Sequence, residues 1–268
     1  MIHALDHIVV ATGSLEADIA GYEVLLGRRV DRPDAGAGAV RASVQLDNVR
    51  FDLTATQAGA NHGLSALAFA VADTAKARRL LERRALPVTN TGASRDLHIV
   101  PEATHHVPVV LVERAPGAGA DASAPLAAAE AGATVSALDH VVIRSPNPER
   151  AVALYAGRLG LSLRLDRSEP AWGARLLFFR CGDLIVEVAH ELKMGIGDGP
   201  DRLWGLSWRV PDITKVHARL RKAGVSVSDL RTGRRPRTRV FTAKSHAAGV
   251  PTLLLGMDPH PPAEASHG

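Results

Sequence analysis

Two short apolar runs each carry one ionisable side chain that could do chemistry. Leu138-Asp139-His140-Val141-Val142-Ile143 holds His140, and Leu184-Ile185-Val186-Glu187-Val188 holds Glu187. Side chains alternate across a strand, so each of these residues can face one side of a sheet. A histidine and a glutamate facing one cavity suit a divalent metal or a proton transfer. A buried Glu187 needs a cation, a proton or a hydrogen-bond donor beside it, because an unpaired buried carboxylate is costly. The first run recurs near the start of the chain as Leu5-Asp6-His7-Ile8-Val9-Val10, with Phe51-Asp52-Leu53-Thr54 further on. His7 and Asp52 therefore form a second candidate pair. The alternative for each pair is a set of satisfied core residues.

Other groups deserve a role or a reason for having none. His246 precedes the last strand, and His190 follows Glu187 by three residues. His98, His105 and His106 cluster in one stretch that reads as a solvated loop. Residues 231–239 carry five arginines, Arg234 among them, with Gly233 and Pro236. That run is either a solvated loop or an anion clamp for a carboxylate or phosphate. Gly195-Ile196-Gly197-Asp198-Gly199-Pro200 has no Lys-Ser or Lys-Thr after it, so it reads as a turn and not a phosphate loop. Trp172, Trp204 and Trp208 all fall in the second half.

The elements that must hold these residues can be read along the chain. Residues 4–11 read as a strand. Ser14 stands where an N-cap would, Leu15, Ile19, Tyr22 and Leu26 recur on one helical face, and Gly27 suits a helix stop. Residues 40–46 and 49–54 read as strands joined by a turn at Asp47-Asn48. The pattern restarts with a strand over 64–71, a helix capped by Asp73, a loop containing Pro87 and Gly92, and late strands at 98–100 and 107–113. Residues 115–134 are rich in Ala, Gly, Pro and Ser and read as a linker that buries little, with a helical turn or two over 126–131. The plan then repeats. A strand over 137–144 leads to Asn147 as N-cap and Pro148 in the first turn, strands follow at 163–166, 175–180, 184–189 and 203–210, Asp212 caps a helix, and the chain finishes with strands at 239–243 and 251–255. Leu5-Asp6-His7 matches Leu138-Asp139-His140, Val71-Ala72-Asp73 matches Val210-Pro211-Asp212, and Val107-Pro108 matches Val250-Pro251. The chain is thus a duplication, each half being itself two strand–helix–strands units. The expected domains are 1–114 and 136–268, with 115–135 between them.

Composition narrows the partners. A net charge of +4 is modest and arginine-driven, and with aromatics at 4% it argues against nucleic-acid binding. One cysteine, Cys181, permits no internal disulfide and fits a reducing cytoplasm. No run approaches membrane-spanning length.

Four βαβββ units in two pairs, with a Leu-Asp-His-hydrophobic first strand, resemble the vicinal oxygen chelate superfamily of glyoxalases, extradiol dioxygenases and bleomycin-resistance proteins. The resemblance implies an α+β fold of tandem paired βαβββ modules, curled into two half-open barrels. It implies metal ligands on the first and last strands of each unit. On that pattern His140 and Glu187 fall on ligand positions, as do His7 and Asp52, whereas Gly205, Leu254, Ala66 and Val110 fall on positions where no ligand stands. His246 could complete a set, or the two pairs could meet within the chain or across a homodimer. The parity of Gly205 sends Ser207 and Arg209 into the second cup. The resemblance therefore implies a metal-assisted isomerase, lyase or hydrolytic enzyme, with His140 and Glu187 as part of the ligand set, or with Glu187 instead moving a proton. Its divalent ion (Zn, Mn, Fe, Ni or Mg) is undetermined, and no other cofactor is expected. The ligand would be a small oxygenated anion met by Arg209, Ser207 and Arg234. The alternative is a metal-free small-molecule or drug-binding protein. An extradiol dioxygenase is disfavoured by Gly205 and Leu254.

Overall fold

The computed structural model describes residues 1–32, 41–56, 62–90, 94–118, 120–127 and 129–258. The expected strand start at Val40, the loop residue Gly92 and part of the 126–131 stretch lie outside the described residues. Two sheets form, one from each half of the chain. The first half runs β1 (Ile2–Thr12), α1 (Leu15–Leu26), β2 (Arg41–Gln45), β3 (Arg50–Ala55), β4 (Gly63–Val71), α2 (Thr74–Arg83), β5 (Val88–Thr89), β6 (Leu97–Ile99) and β7 (Val109–Glu113). The second runs β8 (Ala137–Arg144), α3 (Pro148–Val152) continuing as a π-helical turn over Ala153–Arg158, β9 (Ser162–Glu169), β10 (Ala174–Cys181), β11 (Leu184–Glu191), β12 (Arg202–Arg209), α4 (Ile213–Lys222), β13 (Arg231–Thr232), β14 (Thr238–Ala243) and β15 (Thr252–Met257).

The strand orders are β2-β3-β1-β4-β7-β6-β5 and β13-β14-β15-β12-β8-β11-β10-β9. In every unit the first strand pairs in parallel with the last, across a helical connection. First strands of neighbouring units pair antiparallel, β1 with β4 and β8 with β12. First and last strands thus occupy the middle of each sheet, where candidate ligands lie. Beside β2 and β3, the described residues of the first unit add an isolated bridge between Asp31 and Ser43.

Local chemistry sets the helix ends. Asn147, Asp73 and Asp212 each accept backbone N–H bonds of 2.8–3.1 Å from the first turn that follows. Gly27 ends α1 in the left-handed conformation, at φ 68°. Ser14 departs from expectation: it occupies the N-cap place, but its side chain makes no capping bond. Thr12 Oγ1 accepts from Ser14 N at 3.0 Å and donates to Asp18 instead.

The helix-side face of the second sheet packs Val141, Ile143, Val186, Val188 and Phe179 against Ala151, Leu154 and Tyr155. The core does not stop at the half boundary. Phe51 on β3 meets Trp208 on β12 edge-on at 5.8 Å, Tyr22 tilts on Phe51 at 4.4 Å, and Tyr22 donates to the Ala247 carbonyl at 3.0 Å. The connecting segment is hydrogen-bonded to both halves. Arg28 donates to the Val135 and Ser123 carbonyls at 2.6 and 2.8 Å, Arg219 donates to Ala133 at 2.7 Å, and Ala133 and Val135 are buried. Its small side chains let backbone carbonyls approach buried arginines, so the composition that reads as slack serves close packing.

Candidate active site

His140 and Glu187 lie on adjacent central strands. Register places Ile185 and Ser207 opposite His140, and Glu187 opposite Val142, so all five share one face. Between the pairs Ser207–His140 and Trp208–Leu138, β8 carries one residue more than β12, namely Asp139. Such a bulge re-aims a side chain that would otherwise point to the far face. Asp139 Oδ1 consequently lies 2.9 Å from His140 Nδ1. The first half repeats the device: β1 has the extra residue Asp6 between Leu5 and His7, and Asp6 Oδ2 lies 2.7 Å from His7 Nδ1.

This contact fixes what the imidazole presents. Burial pushes the Asp139 carboxyl up, but the His140 hydrogen bond and the charge of Arg235 outweigh it, so the group stays below its ordinary range. An ionised carboxylate only accepts, so Asp139 keeps a proton on Nδ1 and leaves Nε2 turned to the cup. Nε2 faces Glu187 Oε2 at 3.5 Å. Burial holds the Glu187 carboxyl above its ordinary range, despite the opposing pull of His140 and Arg234. Among the described residues Glu187 accepts no hydrogen bond. When both groups are unprotonated they repel unless a cation lies between them, and their separation is close to the roughly 3.4 Å between two ligands each about 2.1 Å from one ion.

The first-half pair does not fit a metal. His7 Nε2 lies 3.7 Å from Asp52 Oδ2, but Arg41 Nη2 takes the same oxygen at 2.6 Å and Arg50 Nε takes Oδ1 at 3.0 Å. Arg114 binds Asp6 at 2.9 Å. Guanidinium groups already supply the positive charge, and their hydrogen bonds use the carboxylate oxygens a metal would need.

The other expected residues are placed as follows. Ser207 is buried opposite His140, as parity required. Leu254 pairs with Trp208 and is buried in the core, so the cup-facing residue of β15 is Leu253, opposite Ser207. The expected position was about residue 254, and a step of one residue in a strand exchanges faces. Gly205 stands at a second slip of register, where a Cβ would sit 2.8 Å from the Pro251 carbonyl oxygen. Arg209 reaches the site but is engaged, with Nε 3.5 Å from Asp139 and Nη1 3.4 Å from Asp183. Arg234 instead lies with its guanidinium carbon 4.2 Å from the Trp172 ring centroid, and among the described residues it makes no hydrogen bond or ion pair. This contact joins the β13–β14 connection to the β9–β10 connection, from opposite ends of the sheet, so the sheet curls and the contact spans its cup.

His246 is not brought to the pair. It bonds Ser245 and lies against Gly21 of α1, lining a separate recess of about 750 Å³. His190 is also apart, held by the Ser145 carbonyl at 3.1 Å. Among the described residues no three His, Cys, Asp or Glu side chains are grouped to hold an ion, so the first-half and second-half pairs do not combine.

Sequence reading passed over three supporting residues. Asp139 stood inside the motif, but only the bulge turns it to His140. Arg235 donates to Asp139 at 2.6 Å from the arginine-rich connection. Asn48, in the β2–β3 turn, donates to the Leu138 carbonyl at 2.8 Å and accepts from Leu138 N at 2.9 Å. It thus holds the strand beside the bulge from the other half of the chain, and no local signal announces that. Asn48→Ala is expected to cost about 1–3 kcal/mol by leaving both Leu138 groups unpaired. Chemical denaturation would read this, and a loss under about 0.5 kcal/mol would show that water replaces the amide.

Comparisons with known proteins agree with this architecture. Residues 139–241 match the family model described as the glyoxalase/bleomycin resistance protein/dioxygenase superfamily. No curated protein sequence matches the chain. Among solved structures, a halotolerant catechol dioxygenase is similar at TM-score 0.70 and 11% identity, covering 96% of this chain and 87% of its own. A manganese-bound glyoxalase from Novosphingobium aromaticivorans is similar at TM-score 0.69 and 14% identity, covering 95% and 82%. The 2,2',3-trihydroxybiphenyl 1,2-dioxygenase of Sphingomonas wittichii is similar at 0.68 and 17%, covering 96% and 91%. Among the described residues no helix is long and apolar enough to cross a membrane. With four units in two pairs, the duplicated central strands and the match over its second half, this chain has the fold of the vicinal oxygen chelate superfamily, and residues 139–241 match its glyoxalase/bleomycin resistance protein/dioxygenase model.

Proposed function

We propose that the second-half cup is the centre of a metal-assisted enzyme of the glyoxalase-like type, acting on a small oxygenated anion by isomerase, lyase or hydrolytic chemistry. The observation that carries this reading is the approach of His140 Nε2 to the half-buried Glu187 carboxyl, which accepts no hydrogen bond among the described residues. These two side chains would hold the ion, leaving positions for water and for neighbouring oxygens of the substrate. One imidazole and one carboxylate suit several divalent ions. When bound, such an ion polarises a substrate oxygen and stabilises the negative charge that develops there. The chain's own groups do the rest. Asp139 keeps the proton on Nδ1 and aims Nε2. Where Glu187 does not hold the ion, its carboxylate would instead take a proton from a substrate carbon or oxygen and return it. Arg234, stacked on Trp172 and with no hydrogen bond or ion pair among the described residues, receives the substrate's negative charge. The first half supports this cup through Asn48 and the shared core.

A second reading is a metal-free binding protein. It is favoured by the lack, among the described residues, of a third ligand side chain, and by Leu253 on the cup face. Elemental analysis of protein purified without added metal separates the two. About one equivalent of a divalent ion is the expected result. Metal-free protein that takes up no ion on titration, yet binds small carboxylates, would establish the second reading instead.

A further inference from the structure

Three large apolar side chains left exposed by the fold stand around this same cup. Leu165, Trp172 and Trp204 are 48%, 39% and 40% exposed. Leu165 stands opposite Phe178, and Phe178 opposite Glu187, so the three share the cup face across β9, β10 and β11. Trp172 lies in the β9–β10 connection that meets Arg234. Trp204 stands at the slip of register beside Gly205, under the Arg144 guanidinium at 4.3 Å. In the first half the large aromatics Tyr22, Phe51 and Phe69 are fully buried. Exposed apolar groups gathered beside convergent polar ones mark a ligand surface.

The floor has a usable size. Adjacent strands lie about 4.8 Å apart, so the step from β11 to β9 gives about 10 Å of apolar width beside Glu187. That accepts one flat six-membered ring. Arg234 sits at the rim of this floor, stacked on Trp172, with its N–H groups unmatched among the described residues. Stacking orders a guanidinium while leaving its edge free for a bidentate carboxylate contact. Arg167 also stacks on Trp172, at 4.8 Å, and fixes that ring from a second direction.

We propose that the cup selects aromatic carboxylates, with the acid group on Arg234 and the ring on the Leu165–Phe178 floor beside Glu187. The inference rests on the reading of this cup as the ligand site, but not on whether a metal is present. Titration calorimetry of the full chain with benzoate, acetate and benzamide tests it. Benzoate is expected to bind at least about tenfold tighter than either analogue, since acetate lacks the ring and benzamide the charge. Arg234→Gln is expected to erase the difference between benzoate and benzamide. Leu165→Ser is expected to erase most of that between benzoate and acetate. Both residues are exposed, and unchanged melting temperatures would confirm that the variants fold. Equal binding of benzoate and acetate, no binding of benzoate, or preferences that survive both substitutions would overturn the proposal. Metal content measured on the same samples keeps the two readings apart. Failure of the metal-centre reading appears as metal-free protein with the benzoate preference intact. Failure of the present inference appears as metal-loaded protein without that preference.

Discussion

Replacing His140 and Glu187 together by alanine is expected to take divalent-metal content from about one equivalent to none while the fold persists. Both side chains lie on the open face of the sheet, so their removal leaves the helix-side core untouched. Asp139→Asn keeps an acceptor beside His140 but loses the charge, and is expected to weaken metal binding by roughly 10–100-fold. The single change Glu187→Gln separates function from stability. Burial raises the folded-state pKa of Glu187 above its unfolded value, so the folded state favours the protonated acid. Below the unfolded pKa, near ~4.3, the group costs the metal-free protein nothing; above the raised folded value it costs the full penalty. Glu187→Gln should therefore melt at the same or a higher temperature than wild type at pH 7 without metal, and the difference should close toward pH 4. Metal affinity has the opposite dependence. Both ligands must be unprotonated, so wild-type affinity rises as pH rises through the Glu187 pKa. Calorimetric melts and metal titrations across pH 4–8 read both effects. A Glu187→Gln protein markedly less stable than wild type at pH 7 would show that the carboxylate is a structural partner, and unchanged metal content in the double variant would exclude these ligands.

Trp208→Ala is expected to cost about 3–5 kcal/mol and to lower the melting temperature of the whole chain by roughly 10 °C, in a single transition. Trp208 is fully buried, packs edge-on against Phe51 and belongs to a core that continues from one half into the other. The cavity left by its removal opens where the two sheets meet. Phe51→Ala should give a similar loss from the opposite side, and the two losses should add to more than the double variant shows, because each removes the same contact. Trp208→Phe should be much milder, since the indole N–H has no hydrogen-bond partner to lose among the described residues. Differential scanning calorimetry would read the number of transitions. Two separated transitions in Trp208→Ala, with one at the wild-type temperature, would mean that the halves fold as independent domains.

Local and repeated features were set by the sequence itself. Period-two runs gave the central strands, short polar residues before helical stretches gave the caps at Asp73, Asn147 and Asp212, and the internal echo gave the duplication. His140 and Glu187 could be placed on first and last strands for the same reason, because side-chain parity follows from position alone. Tertiary structure decided what depends on pairing with distant chain. Whether β8 bulges at Asp139 is fixed by its register with β12, about seventy residues on, and that bulge alone turns Asp139 onto His140. One residue of register likewise exchanged Leu254 for Leu253 on the cup face. The two candidate pairs look alike in sequence, yet Arg41 and Arg50 neutralise Asp52, while among the described residues no guanidinium bonds Glu187. The arginines exchanged roles in the same way. Arg209 is held by Asp139 and Asp183, and Arg234 stays free on Trp172 because the curl of the sheet brings its opposite ends together. A charged side chain bonds to whatever the fold brings within about 3–4 Å, so its partner is a property of the assembled sheet and not of its neighbours along the chain.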